Sequence, residues 1–316
     1  MAVEIKRRSF LQMGLAAGAA ALLPDLLLSQ GMQPDRVAQA RANALNTPIK
    51  VTPLTGNVYL LQGAGGNMAL QTGREGPLLI DSSFATAAPR IREAIAKLDN
   101  GAPYSLINTH WHFDHTDGNE AMHAAGFNIV AHRKTRERLS MPQTMKFFGF
   151  TLPAAPLGAL PTVTFDSAMQ IEHNGDELDL LHVEPAHTDT DILIHFRKAN
   201  VLHVGDLWFN GMYPFIDADS GGSIGGMIHA GEKILPLADS ATQIIPGHGF
   251  LGNKEDYRKF HAMLVTSRDR VAAIKKTGAS EDEAVARKPL ADLDAAWGKG
   301  MMNGDAFTRI VYATLG

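Results

Sequence analysis

The chain has 316 residues, 45% of them hydrophobic and 20% charged, which suits a soluble globular protein long enough to bury a sizeable core. Its formal net charge is −4 and it carries no long basic run, which argues against nucleic acid as the main partner, because phosphate binding needs concentrated positive surface. It has no cysteine, so disulfides, thiolate metal ligands and cysteine nucleophiles are excluded, and any metal site must be built from His, Asp and Glu.

At the N-terminus, Lys6, Arg7 and Arg8 precede an Ala- and Leu-rich apolar stretch from Met13 to Leu28. Gly14, Gly18, Pro24 and Asp25 interrupt that stretch and make it a poor spanning helix. The pattern resembles a bacterial twin-arginine export signal; the alternative is a basic start to an ordinary helix or anchor. The resemblance implies a leader over residues 1–44, with cleavage after Ala40 or Ala44, both in small-residue contexts. Residues 45–316 are then expected to form a single domain with C-terminal helices. The expected partner is the twin-arginine export machinery, and the expected location is periplasmic or secreted, with no stable membrane span after processing. That route carries folded proteins, so metal loading before export is also implied.

Val58–Gln62 and Met68–Thr72 read as short strands around the glycine-rich turn Gly63–Asn67, a natural hairpin. Pro77–Ile80 is a further strand ending in Asp81, which either caps a loop or supports a metal ligand from outside. Pro89 to Leu98 has helical spacing, with Ile91, Ile95 and Leu98 on one face. Tyr104–Asn108 is a strand, Asn119–Ala125 a helix and Asn128–Ala131 a strand. Strands alternating with helices predict an α/β layered fold. Arg138 to Phe165, with Met141, Met145, Phe147, Phe148 and Phe150, has little periodicity and reads as an insert packed on the core or an apolar flap over a pocket.

The stretch after Asn108 gathers His110, His112, Asp114 and His115 in a loop at a strand end. Neutral imidazole nitrogen and carboxylate oxygen are ligands that zinc accepts, so a divalent metal is the plainest reason for the grouping. Later strands repeat the pattern. The run Glu177–Val183 precedes His187, Asn200–Val204 precedes Asp206, and Gln243–Ile245 precedes His248. Beyond Asp206, a loop with Phe209, Tyr213 and Phe215 leads to a helix beginning near Ser223. Its glycines do not make a phosphate loop, because the Lys-Ser/Thr element is missing. Lys254 to Gly316 is mostly helical, with Tyr257, Phe260, Met263, Leu264 and Val271 on one apolar stripe. The remaining histidines, among them His132, His182 and His203, read as structural.

His110-x-His112-x-Asp114-His115, followed in order by His187, Asp206 and His248, resembles the metallo-β-lactamase superfamily from about residue 55 to 250. The resemblance implies a four-layer αββα sandwich with two Zn2+ per chain at one edge, or manganese or iron in their place. It implies one metal on His110, His112 and His187, the other on Asp114, His115 and His248, and Asp206 bridging the two. Asp114 is the implied catalytic residue, able to orient or receive a proton, and Tyr213 is a candidate substrate-binding donor, although its ring has packing as the alternative. Two features depart from better-known relatives: Asp117 stands where many have a second glycine, and Asp206 looks more like the glyoxalase II, lactonase and phosphodiesterase branches than the β-lactamases. The C-terminal tail has no cationic cluster of the kind that would argue for glutathione binding.

The implied activity is hydrolysis of a small carbonyl substrate (β-lactam, lactone, ester or thioester) by a hydroxide that the metals generate. A phosphodiesterase or sulfatase on the same centre is the first alternative. A di-iron redox protein, which typically has Glu at the position of His112, and a non-enzymatic metal binder are the others.

Overall fold

The computed structural model describes residues 35–99, 101 and 104–315; the twin-arginine motif at Arg7 and Arg8 lies outside the described residues. In chain order the first half contains α1 (Asp35–Asn46), β1 (Lys50–Pro53), β2 (Val58–Gln62), β3 (Met68–Gln71), β4 (Leu78–Ile80), α2 (Ala88–Leu98), β5 (Tyr104–Ile107), α3 (Phe113–Thr116), α4 (Asn119–Ala124), β6 (Phe127–His132), α5 (Arg133–Leu139), β7 (Gln143–Met145), β8 (Phe150–Leu152) and β9 (Val163–Phe165). The second half contains β10 (Ala168–His173), β11 (Asp176–His182), β12 (Ile192–Phe196), β13 (Val201–His203), α6 (Ile224–Leu237), β14 (Gln243–Ile245), α7 (Lys254–Lys275), α8 (Glu281–Ala286), α9 (Asp294–Trp297) and α10 (Gly304–Thr314).

Two sheets form the centre, in the orders β1-β2-β3-β4-β5-β6-β9 and β10-β11-β12-β13-β14. Side chains alternate across each strand, and this alternation builds the layers. Leu78 and Ile80 meet Leu180, Ile192, Ile194 and Phe196 between the sheets. Leu79, one residue out of phase, packs with Ile91 and Ile95 of α2 on the outer face. In the second sheet, Leu193 leaves the inter-sheet layer and joins Met227, Ile234, Tyr257 and Phe260 under α6 and α7. The result is the αββα sandwich expected from the sequence.

The strand directions explain where the site sits. β4, β5 and β6 are parallel, and so are β13 and β14. β11 runs antiparallel to β12, and β12 antiparallel to β13, so β11 shares the direction of β13. Asp81, His110, His187, Asp206 and His248 therefore all follow strands whose C-terminal ends share an edge with their sheet neighbours. Parallel sheets commonly place their ligand sites at such edges.

Three local differences from the sequence reading have physical causes. The His110–His115 stretch is not all loop: Thr116 and Asp117 donate backbone hydrogen bonds to His112 and Phe113, closing one turn of α3. The segment 138–165 is more ordered than its lack of periodicity suggests, holding the end of α5, the β7–β8 hairpin and β9, which pairs with β6. Each of those strands has three residues, too few for alternation to register. Finally, Ala40 and Ala44, the expected cleavage positions, lie inside α1, buried with Phe84, Ala87 and Ala88.

Elsewhere the expected devices are present. The Ser223 hydroxyl accepts from the Gly226 N–H at the start of α6, and the Asn253 side chain caps α7 by accepting from Glu255 and Asp256. Among the described residues no helix is long and apolar enough to cross a membrane. Ile194 is fully buried between the sheets, so Ile194→Ala is expected to lower unfolding free energy by about 2–5 kcal/mol, read from the urea midpoint.

Candidate metal centre

The structure brings all seven sequence-selected polar residues into two adjoining groups. His110, His112, His187 and Asp206 form one and Asp114, His115 and His248 the other; within each group the offered atoms lie within 4.8 Å of one another. Asp206 lies between the groups. Its Oδ2 is 3.3 Å from His187 Nε2 and 3.4 Å from His248 Nε2, while its Oδ1 is 3.1 Å from His115 Nε2. Asp114 Oδ2 is 3.2 Å from His248 Nε2.

The outward side of each ring shows which nitrogen is left for a metal. His112 Nε2 pairs with Asp217 Oδ2 at 3.0 Å, and His115 Nδ1 with Asp81 Oδ2 at 2.8 Å. His187 Nδ1 meets the Phe215 carbonyl at 2.8 Å. The Thr109 hydroxyl donates to Asp81, so at 3.0 Å it accepts from His110 Nδ1. An acceptor on one nitrogen holds the proton there and leaves the other nitrogen a bare lone pair. Those bare nitrogens converge. His112 Nδ1 and His187 Nε2 face each other at 2.8 Å. Among the described residues, His110 Nε2 is buried without a hydrogen-bond partner, and His115 Nε2 and Asp206 Oδ1, though 3.1 Å apart, are not aligned for a hydrogen bond and have no other partner. Buried acceptors gathered this way repel unless something positive joins them, so the donor set fits divalent metal.

Charge follows burial and neighbours. Burial pushes His187 down to about 4 and His110 well below the ordinary imidazole value, which keeps both rings neutral. Burial disfavours charge on Asp114 too, but His115 and His248 outweigh it and hold the carboxyl at about 2. Burial likewise opposes ionisation of Asp217, and the hydrogen bonds it accepts from His112 and Ser220 overcome it, leaving about 2. Asp191 is pushed up to about 7 by burial. It accepts from the His187 and Thr188 backbone N–H groups and pins the loop that carries His187.

Sequence reading missed several supports. Asp217 sits in a turn-like Asp-Ala-Asp-Ser-Gly run and carried no motif. Its carboxylate also accepts from Ser220 Oγ, whose oxygen accepts in turn from Trp111 Nε1. The Trp between His110 and His112 thereby braces the group that orients His112. Asp81 resolves in favour of ligand support. It adopts φ +63°, which Asp tolerates better than most residues, and its carboxylate also accepts from the Thr109 N–H. Gly247 has a role no motif announced: a Cβ there would lie 1.9 Å from Asp206 Oδ1.

Of the two readings of Tyr213, the structure shows the packed ring. It is buried, stacked on Phe307 at 4.8 Å, and its hydroxyl donates to the Leu290 carbonyl at 3.4 Å. His203 is structural, as expected, with Nε2 against the Asn67 carbonyl. His132 and His182 stack on each other at 3.8 Å, away from the seven.

Aromatic rings surround the inner part of the centre. Phe209 stacks on His248 at 5.0 Å, and Phe215 lies 5.9 Å from both His112 and His187. Phe148 packs on Phe215 at 4.7 Å, so the β7–β8 hairpin covers this side. The seven differ in exposure: Asp114 and His248 keep 20% and 15% of their side-chain surface, while His115 and His187 keep none, which puts the opening at the former pair.

An αββα sandwich with a histidine–carboxylate cluster at one sheet edge defines a class of metal-dependent hydrolases. The sequence model described as the metallo-beta-lactamase superfamily matches residues 51–248, and the chain belongs to that superfamily. A twin-arginine translocation signal model matches residues 4–24, marking the protein for export to the periplasm or secretion. Among solved structures, a metallo-beta-lactamase from Pontibacter korlensis is 17% identical, with a TM-score of 0.55 over 68% of this chain and 98% of that one. The DIM-1 metallo-beta-lactamase is 17% identical, with a TM-score of 0.56 over 70% of this chain and 100% of that one. A double mutant of the sec-alkyl sulfatase PisA1 is 17% identical, with a TM-score of 0.63 over 87% of this chain and 51% of that one. These likenesses establish the fold, and the superfamily makes the protein a metal-dependent hydrolase acting on a small molecule.

Removing an outer acceptor frees the wrong tautomer, so Asp217→Ala and Asp81→Ala are each expected to weaken zinc binding by about 10–100-fold in chelator-competition titrations. Gly247→Ala, which displaces Asp206 from between the two groups, is expected to weaken binding at both.

Proposed function

We propose that the protein is an exported dinuclear zinc hydrolase of small carbonyl compounds (a lactone, ester, thioester or β-lactam), with its hydrolase unit a single domain that includes the C-terminal helices. The observation that carries this reading is the set of bare nitrogens and carboxylate oxygens arranged as two groups about Asp206. One ion would be held by His110, His112 and His187, the second by Asp114, His115 and His248, with Asp206 common to both. Bound there, the pair would supply a hydroxide nucleophile near neutral pH and Lewis-acid polarisation of the substrate oxygen.

The chain's own residues do the rest. Asp81, Thr109, Asp217 and the Phe215 carbonyl fix the rings, so little reorganisation accompanies reaction. The Asp114 carboxylate, held ionised and partly exposed at the opening, orients or accepts a proton as the substrate is attacked. Phe148, Phe209 and Phe215 exclude water and offer an apolar wall to the substrate.

That wall favours an uncharged, apolar-substituted substrate. The cations nearest the hairpin and the loop after Asp206 are already paired, Lys146 with Asp219 at 2.8 Å and Arg138 with Asp189 at 2.6 Å. A sulfate ester or phosphodiester is the second reading, supported by the likeness to the sec-alkyl sulfatase over 87% of this chain.

The test is a panel of nitrocefin, a homoserine lactone, a thioester, bis-p-nitrophenyl phosphate and a secondary alkyl sulfate on purified protein of measured metal content. Hydrolysis of a carbonyl substrate that stops on chelation and returns with zinc supports the proposal; turnover of the sulfate or phosphate ester alone moves it to the second reading. His112→Ala and Asp206→Ala are expected to lower turnover sharply with circular dichroism unchanged, and full activity of either at matched metal content rejects the ligand assignment.

A further inference from the structure

Asp117 closes the one-turn helix that carries Asp114 and His115. It sits where the sequence departs from the glycine common in similar motifs, and its carboxylate faces away from the metal centre. Arg41 reaches it from α1 as a fork: Nε to Oδ2 at 2.9 Å and Nη2 to Oδ1 at 2.5 Å. The same Oδ2 accepts from the Ala85 N–H at 2.8 Å. The Thr86 hydroxyl donates to the Arg41 carbonyl at 2.5 Å, tying α1 to the turn before α2. On the inner face of α1, Ala40 and Ala44 are buried against Phe84, Ala87 and Ala88. A helix with two small residues seated in the core and a planar fork on a carboxylate belongs to the folded domain. Cutting after Ala44 would remove Arg41 and its fork, cutting after Ala40 would remove the first half of α1 and leave Arg41 at a chain end, and either would uncover part of that apolar face.

We propose that processing leaves α1 on the exported enzyme and that Arg41, acting through Asp117, is a positioning residue for the loop bearing Asp114 and His115. The first half stands on packing alone; the second rests on the metal-site reading above. A surface ion pair contributes little to stability by itself. A bidentate arginine adds geometry, however, because its rigid fork fixes the carboxylate's orientation in a way a lysine point charge does not. The Asp117 backbone is bonded into α3, so fixing its carboxylate fixes the pitch of the turn that aims Asp114 and His115. His110, His112 and His187 are held by other partners. Loss of the fork therefore bears on one group of the centre more than on the other.

The experiment has two arms. The full chain is expressed in a host with a working twin-arginine pathway, and the exported protein is weighed intact. A mass that includes residues 35–46 is expected, and an N-terminus at or beyond residue 41 overturns the first half. Zinc alone is then titrated against a chromophoric chelator into the wild type, Arg41→Ala, Arg41→Lys, Asp117→Ala and the Arg41→Ala/Asp117→Ala double variant, with Gln39→Ala as a control on the same helix. The weaker-bound zinc of the wild type is assigned to the Asp114/His115/His248 group by its loss in His248→Ala. Arg41→Ala is expected to weaken that zinc by about 10–100-fold and leave the tighter one within a factor of about two. Arg41→Lys should fall between, and the double variant should be no worse than Asp117→Ala. Equal weakening of both ions in step with a fall in Tm, or no weakening of either, overturns the positioning role. A wild type that takes up no zinc instead rejects the metal-site reading, and leaves the mass measurement to decide the fate of α1.

Discussion

Everything at the centre depends on where a few imidazole protons sit. His112 Nδ1 and His187 Nε2 point at each other at 2.8 Å because Asp217 and the Phe215 carbonyl hold the protons on the opposite nitrogens. Two neutral rings with free lone pairs aimed at one point make poor neighbours and good ligands. The protein meets the cost of that arrangement with buried outer acceptors, which explains why carboxylates such as Asp81 and Asp217 lie deep in the interior with imidazole partners. The loops are shaped to deliver acceptors as much as to deliver histidines.

The sandwich supplies the rigidity this requires. Parallel strand ends bring distant segments to one edge, and glycine lets them approach. At Gly66 a Cβ would fall 2.0 Å from the His115 ring. The aromatic hairpin then packs on Phe215, the ring that lies beside His112 and His187. The candidate ligands and the aromatic rings beside them come from different parts of the chain: strand-end loops for the first, the β7–β8 hairpin and the loop after Asp206 for most of the second. That separation lets one scaffold serve many substrates.

Much of this was legible in the sequence. The apolar run Pro77–Ile80 and the alternation in Glu177–Val183 predict strands, and the recurrence of strand, then His or Asp, predicts the edge at which they gather. Asp217 was not legible, because its partner His112 lies 105 residues away and its surroundings look like any polar turn. Nor were β7, β8 and β9, whose three-residue lengths fall below the span over which alternation can be read. Tyr213 shows how nearness in sequence and nearness in space differ. An aromatic near a ligand in sequence suggests a neighbour in space, yet the chain between Asp206 and Tyr213 turns the ring into the helical layer against Phe307. Small residues carry two meanings in a sequence: they suit a cleavage site and they suit tight helix packing, and Ala40 and Ala44 are buried on the inner face of α1.

The centre draws on strand ends from both halves of the chain, with Asp81 near its start and His248 near its end. No local segment contains even one complete group, since His110 and His112 need His187, and Asp114 and His115 need His248. Contacts so distant in sequence form late in folding, because chain must be ordered over the whole intervening span first. Metal capture of this kind can only follow closure of both sheets. A chain that folded before export would meet its ion in the compartment where folding finishes, and would carry outward a chemical record of that compartment.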